Sequence, residues 1–236
     1  MNALADMLAT LAQSVQPSTP TCRRCGERAV LRVGASCDAC VAEARRAQRL
    51  AELRPARESI PLVFRGLDRE EVRRRVRVPQ ATLDTTEAAR ARPRVVFVGG
   101  AGFGKTTVAC WMLGQVIDAG IDGERDVFQR AQRARFVDAP RLCRAVREHP
   151  LGEGEAPLLA AAYRASVLVL DDVGQDLDLR MAVNPVVDVI RERQAAGRTT
   201  WVTTFLAPEA FEKAYGSGTA RRVFDGAAVV WMGGAP

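Results

Sequence analysis

Lysine is almost missing: it occurs only at positions 105 and 213, and arginine supplies the rest of the basic charge. Such a skew reflects a GC-rich genome more readily than selection for phosphate contacts. It also sets Lys105 apart, as a lysine kept where arginine was the easy choice. Histidine occurs once, at His149 ahead of Pro150, where a surface or capping role is more ordinary than catalysis. Aromatic residues make up 6% of the chain, so base-stacking rings are scarce; Phe128 and Phe136 are the nearest to an arginine cluster. No apolar run approaches the roughly eighteen residues that a membrane span requires, and no basic segment followed by an apolar stretch opens the sequence. The expectation is a soluble, cytoplasmic protein with no membrane partner. There, cysteines bind metal or stay reduced more readily than they form disulfides.

What is present suffices for one α/β domain with a small appendage: 236 residues, 47% of them hydrophobic. The net charge of +6 permits a nucleic-acid partner without requiring one. Arginines gather at Arg45, Arg46, Arg49 and Arg54, again at Arg73, Arg74, Arg75 and Arg77, and at Arg130, Arg133 and Arg135. Each group reads either as a solvated face or as a weak, salt-sensitive track for single-stranded DNA without base preference.

Residues 1–16 carry Leu4, Leu8, Leu11 and Val15 at helical spacing, ended by Pro17 and Pro20. This stripe packs on its own neighbouring module or docks on a partner. Cysteine and glycine dominate 21–40, an Ala/Arg/Glu-rich helix is predicted over 41–54 with Pro55 as its stop, and a linker follows. From about residue 94 strands alternate with helices. Strands are predicted at 95–99, 135–138, 167–170, 200–203 and 228–232, and helices at 106–119, 140–148, 156–164 and 182–196. That alternation implies a parallel sheet covered on both faces.

Gly99-Gly100-Ala101-Gly102-Phe103-Gly104-Lys105-Thr106 matches G-x-x-x-x-G-K-[ST], between an apolar strand and a helix. Glycines let successive N–H groups turn inward around a polyphosphate, and the helix start directs its positive end at the same anion. The candidate nucleotide ligands are Gly100, Ala101, Gly102, Phe103, Gly104, Lys105, Thr106 and Thr107. Lys105 serves the β- and γ-phosphates and Thr106 offers a hydroxyl to Mg²⁺. Val167-Leu168-Val169-Leu170-Asp171-Asp172 reads as a buried strand delivering carboxylates to the sheet edge where ligands bind. Asp171 is the magnesium candidate; Asp172 is placed to polarise the attacking water or, more plainly, to cap a turn.

These stretches resemble the DnaC/DnaI/IstB group of AAA+ ATPases over roughly 60–236. The resemblance rests on the 99–107 loop, Leu170-Asp171-Asp172-Val173-Gly174, Trp201-Val202-Thr203-Thr204, and Tyr215-Gly216 through Ala220-Arg221-Arg222-Val223-Phe224-Asp225-Gly226. Ile60-Pro61 to Phe64 resembles the motif that leads into such domains. The resemblance implies a five-stranded P-loop NTPase fold of AAA+ type with a short lid or none. It also implies a γ-phosphate sensor at the end of the fourth strand, where Thr204 is favoured over Thr203, and a finger arginine, Arg222 or its neighbour Arg221, serving a second copy. Phe205 stands where the group often has Asn, and Gly218 where it often has Arg. Asp172 is one methylene shorter than the Glu of many AAA+ enzymes, which implies slow turnover.

Cys22-x₂-Cys25 and Cys37-x₂-Cys40 stand eleven residues apart. Four thiolates suit a closed tetrahedral Zn²⁺ site, which would fold a segment too small for its own core. Disulfides, an iron–sulfur cluster and unrelated thiols are the alternatives. Cys110 and Cys143 fall in predicted helices and read as small buried hydrophobes. The expected organisation is an amphipathic helix over 1–20, a zinc module and helix over 21–57, and an ATPase domain over 58–236. A zinc-bearing front module resembles helicase loaders, which implies a replicative helicase hexamer as partner of the N-terminal region, with single-stranded DNA and an ATP-dependent homo-oligomer. A transposition helper of the IstB type and a nucleotide-gated adaptor with little hydrolysis are the other readings.

Overall fold

The computed structural model describes residues 20–27, 31–33, 35–150, 152–179 and 184–233. The amphipathic stripe of 1–16 lies outside them. The chain divides into two compact units, Met1–Gln48 and Arg49–Pro236. In the first, β1 (Leu31–Val33) pairs antiparallel with β2 (Ser36–Cys37), and helix α1 (Asp38–Ser59) starts directly after Cys37.

Helix α1 extends past both expected ends and runs through Pro55. A proline inside a helix forfeits one hydrogen bond and costs about 3 kcal/mol. Burial of Leu53 and Ala56 on one face of the last turns, and of Ile60 just past the helix end, offsets it. These three belong to the core of the second unit, which is why the division falls inside the helix.

The stretch expected as linker is ordered. A 3₁₀ turn, Leu62–Phe64, precedes α2 (Arg69–Arg75) and α3 (Gln80–Ala89). Asp68 caps α2, its carboxylate accepting the Glu71 N–H at 2.7 Å. Then come β3 (Arg94–Val98), α4 (Lys105–Asp122), α5 (Arg125–Gln132), β4 (Arg135–Asp138), α6 (Ala139–Glu148), α7 (Pro157–Arg164) and β5 (Val167–Val173). Helix α8 (Pro185–Ala195) opens on a proline at a position needing no N–H, with the Asn184 side chain accepting the Val186 N–H at 2.9 Å. Strand β6 (Thr199–Thr204), helices α9 (Pro208–Tyr215) and α10 (Ser217–Phe224), and β7 (Ala228–Trp231) complete the unit.

All five strands of the larger sheet lie at the positions predicted from the sequence, with β5 running three residues further. They form one parallel sheet in the order β4-β5-β6-β3-β7. Alternate side chains feed two cores: Val95, Phe97, Val167, Val169 and Trp201 with α4 on one face, and Val96, Val98, Leu168, Leu170 and Val202 with α6 and α8 on the other. Since β3 lies beside β6, and β6 beside β5, the ends of these three strands converge on one short edge.

Candidate nucleotide-binding site

At that edge β3 enters the loop 99–104, and α4 begins at Lys105. Gly104 caps the helix in the left-handed region at φ 88°, and a Cβ on it would come within 2.5 Å of Val76 Cγ1. A Cβ on Gly99 would meet the Met232 carbonyl oxygen at 2.0 Å. Both positions therefore require glycine, for contact as well as conformation. Lys105 is buried, and its Nζ donates to the Gly99 and Gly100 carbonyls, both at 2.8 Å. Burial lowers its pKa, against the pull of Asp172 and Asp171.

Strand β5 carries Asp171 to the same place. Its carboxylate accepts from Thr106 Oγ1 at 3.0 and 3.1 Å, and from Thr203 Oγ1 at 2.6 Å. The next residue, Asp172, has φ 53°, left-handed for a non-glycine, and the β5–β6 register breaks between Leu170 and Val173. That conformation costs on the order of 1–2 kcal/mol. The Asp172 N–H donates to Thr203 Oγ1 at 2.9 Å, which holds the kink. With residues 101–107 apart from Phe103, Asp172 helps to line a cavity of about 380 Å³, whose other walls are Phe64, Arg75, Gln175 and Phe205.

The two threonines ending β6 serve different ends. Thr203 faces α4 with Trp201 and touches Asp171. Thr204, favoured from the sequence as sensor, is fully buried on the alternate face, and its hydroxyl accepts the Leu206 N–H at 3.1 Å. Strict alternation along β6 was the signal that could have separated them. Arg222 sits far along the sheet from the loop: its Nη1 donates to the Gly218 carbonyl at 2.8 Å, and its own carbonyl accepts from Arg94, the first residue of β3. Arg222 Nε is buried without a partner among the described residues, while Arg221 is exposed and pairs with Asp225 at 3.4 Å. Neither arginine reaches the cavity of its own chain.

Burial pushes the Asp171 carboxyl from 3.8 up to about 6; hydrogen bonds from Thr203 and Thr106 oppose the rise, and Asp172 and Asp138 add to it. A folded-state pKa above the unfolded value means that the folded protein holds this proton more tightly. At neutral pH the ionised carboxylate therefore costs the nucleotide-free protein on the order of 2–3 kcal/mol, and the cost fades as pH falls through 6 toward about 4. Asp171→Asn should raise the thermal midpoint of the nucleotide-free protein at neutral pH, with the difference shrinking in acid. Scanning calorimetry across pH checks this; an unchanged or lowered midpoint at neutral pH contradicts it.

In the first unit the Sγ atoms of Cys22, Cys25, Cys37 and Cys40 all lie within 4.8 Å of one another, and all four cysteines are free thiols. Cys25 and Cys37 Sγ are 3.7 Å apart, close to the edge of a tetrahedron with Zn–S bonds of about 2.3 Å. Backbone N–H groups of Cys25 and Cys37 draw the Cys22 thiol down to about 6, while burial and the other three thiols push Cys40 up to about 12. Crowded sulfurs of this kind fit a divalent cation, whose charge relieves their mutual repulsion.

The strand order, the glycine loop with Lys105 and Thr106, and the carboxylates on β5 define a P-loop ATP-binding protein of AAA+ type. The family profile described as IstB-like ATP binding protein matches residues 42–220, and the chain belongs to that family. No curated protein matches the sequence. Among solved structures the chain is similar to the DnaC helicase loader, at 16% identity and a TM-score of 0.48, over 72% of this chain and 94% of that one. It is similar to DnaI at 15% identity and a TM-score of 0.48, over 78% of this chain and 93% of that one. For AMPPCP-bound DnaA from Aquifex aeolicus the identity is 17% and the TM-score 0.45, over 65% of this chain and 44% of that one. Among the described residues no helix is long and apolar enough to cross a membrane.

Proposed function

We propose that the chain hydrolyses ATP slowly and uses the cycle to load a replicative helicase hexamer onto single-stranded DNA. The observation that carries this reading is the meeting of Lys105, Thr106 and Asp172 at one cavity, with Asp171 hydrogen-bonded to Thr106 and Thr203 beside it, in a chain that also bears a four-thiol cluster ahead of its ATPase unit. The loop amides of Gly100 to Thr107 cradle the phosphates, with Lys105 on the terminal ones. Thr106 and Asp171 would hold Mg²⁺, which neutralises charge on the β- and γ-phosphates when bound. Asp172 orients the attacking water and receives its proton. Thr203, which donates to the Asp171 carboxylate and accepts the Asp172 N–H, is the better sensor candidate than Thr204, because a shift of Asp171 reaches it directly.

Arg222 or Arg221 completes a second copy's site in an ATP-dependent homo-oligomer, since neither serves its own. The cysteines hold structural zinc, and the region 1–57 grips the helicase. Basic clusters hold single-stranded DNA through phosphates, so affinity should fall steeply with salt. A second reading, a transposition helper, draws support from the description of the matching family.

Turnover by the full-length protein, alone and with single-stranded DNA and helicase, tests the choice. The loader reading expects slow basal hydrolysis, faster with both added, and co-purification of the helicase. Co-purification of a transposase instead supports the helper. Absence of turnover under every condition supports an adaptor.

A further inference from the structure

The sequence reads Arg75 as one member of a solvated or DNA-facing arginine run. The structure separates it from that run. Arg73 and Arg74 have side chains 63% and 70% exposed, with Glu70 and Glu71 as ion-pair partners, whereas Arg75, which shares Glu71 with Arg74, is 40% exposed. Arg75 lines the nucleotide cavity, alongside Lys105, Thr106 and Asp172. Its chain neighbour Val76 is buried and seated on Gly104, so the end of α2 is anchored to the last glycine before α4.

The Arg75 side chain is also held in one orientation. Nε donates to Glu71 Oε1 at 2.5 Å and Nη1 to the Val63 carbonyl at 2.7 Å. Nη2 makes no hydrogen bond among the described residues. A guanidinium held at Nε and Nη1 and free at Nη2 suits an anionic oxygen, because little rotamer freedom is left to lose.

We propose that Arg75 is a nucleotide-binding residue, donating from its free Nη2 to the polyphosphate of ATP bound in the 99–106 loop. It is a cationic contact in cis, supplied from outside the loop. The proposal rests on ATP occupying this cavity and adds a ligand to that site. Glu71 is then the positioning residue that holds the guanidinium against the Val63 carbonyl.

Calorimetric titration of the full-length protein with MgATP tests it, beside fluorescence anisotropy with an oligothymidylate in the absence of nucleotide. Arg75→Ala should weaken ATP by about tenfold or more and leave oligonucleotide affinity unchanged. Arg164→Ala, which removes one exposed charge from α7, should alter ATP affinity by less than about twofold. Should Arg75→Ala lose its fold by circular dichroism, Arg75→Gln keeps a donor for the Val63 carbonyl without the charge and carries the same expectation. ATP affinity equal to wild type in the folded variant overturns the proposal, as does a loss confined to the oligonucleotide. Failure of the wild-type protein to take up ATP would defeat the underlying reading instead, and a Lys105→Ala titration run in parallel distinguishes the two.

Discussion

Replacing Lys105 by alanine is expected to weaken ATP by about 100-fold or more, near 3 kcal/mol, since it removes a buried charge-assisted contact to the terminal phosphates. Lys105 is 7% exposed and spans the loop to the Gly99 and Gly100 carbonyls. Its ammonium is thus fixed at the mouth of the loop before any ligand arrives. Arginine is no substitute, because the wider guanidinium does not fit a site so enclosed. Lys105→Arg should accordingly bind nearly as poorly as Lys105→Ala. Calorimetry with MgATP decides, and retention of wild-type affinity in Lys105→Ala would refute the phosphate assignment outright.

Stripping metal is the second large effect. Among the described residues of the first unit, the buried hydrophobic ones are Cys22, Cys37 and Cys40 themselves. Zinc binding is therefore expected to supply on the order of 10 kcal/mol of folding energy to this unit. Wild-type protein should carry one zinc per chain, and Cys22→Ser should lose it. Cys22 is the most sensitive position, since its Sγ also accepts the Cys37 N–H at 3.3 Å. Amide exchange should then show residues 20–40 unprotected, while ATP affinity changes little, because the nucleotide site stands on a separate core. Metal analysis with hydrogen exchange checks this; an ordered first unit in metal-free protein would contradict it.

The phosphate loop and the sheet were legible because each is written in local chemistry. Glycines at fixed spacing and apolar runs such as 167–170 have few other uses. What escaped prediction depends on tertiary contact. Helices α2 and α3 bury only Val72, and Leu83, Thr86 and Ala89, respectively. In an arginine-rich stretch so few buried positions leave no apolar period to detect. Pro55 was read as a stop because propensity says so, yet burial of its neighbours outweighs propensity. Arg193 illustrates the same limit: composition suggests a surface residue, but it is fully buried, donating to the carbonyls of Ala162, Ala165 and Thr199 and to Thr200 Oγ1. In the site, the glycines, Lys105, Thr106 and Asp171 could be named from spacing. The pairing of Thr203 with Asp171, and the place of Arg75, depend on strand register and on a helix that the sequence does not announce.

The left-handed backbone at Asp172 restricts which residues evolution can try there. Asparagine and aspartate tolerate that region better than other non-glycine residues, because their short polar side chains bond locally. Lengthening the acid to glutamate, which in the proposed cycle would extend its reach toward the attacking water, would set a longer chain on a twisted strand end that disfavours it. An unhurried catalytic clock would then follow from the shape of the main chain as much as from the reach of the carboxylate, and speeding it would require rebuilding the turn before changing the acid.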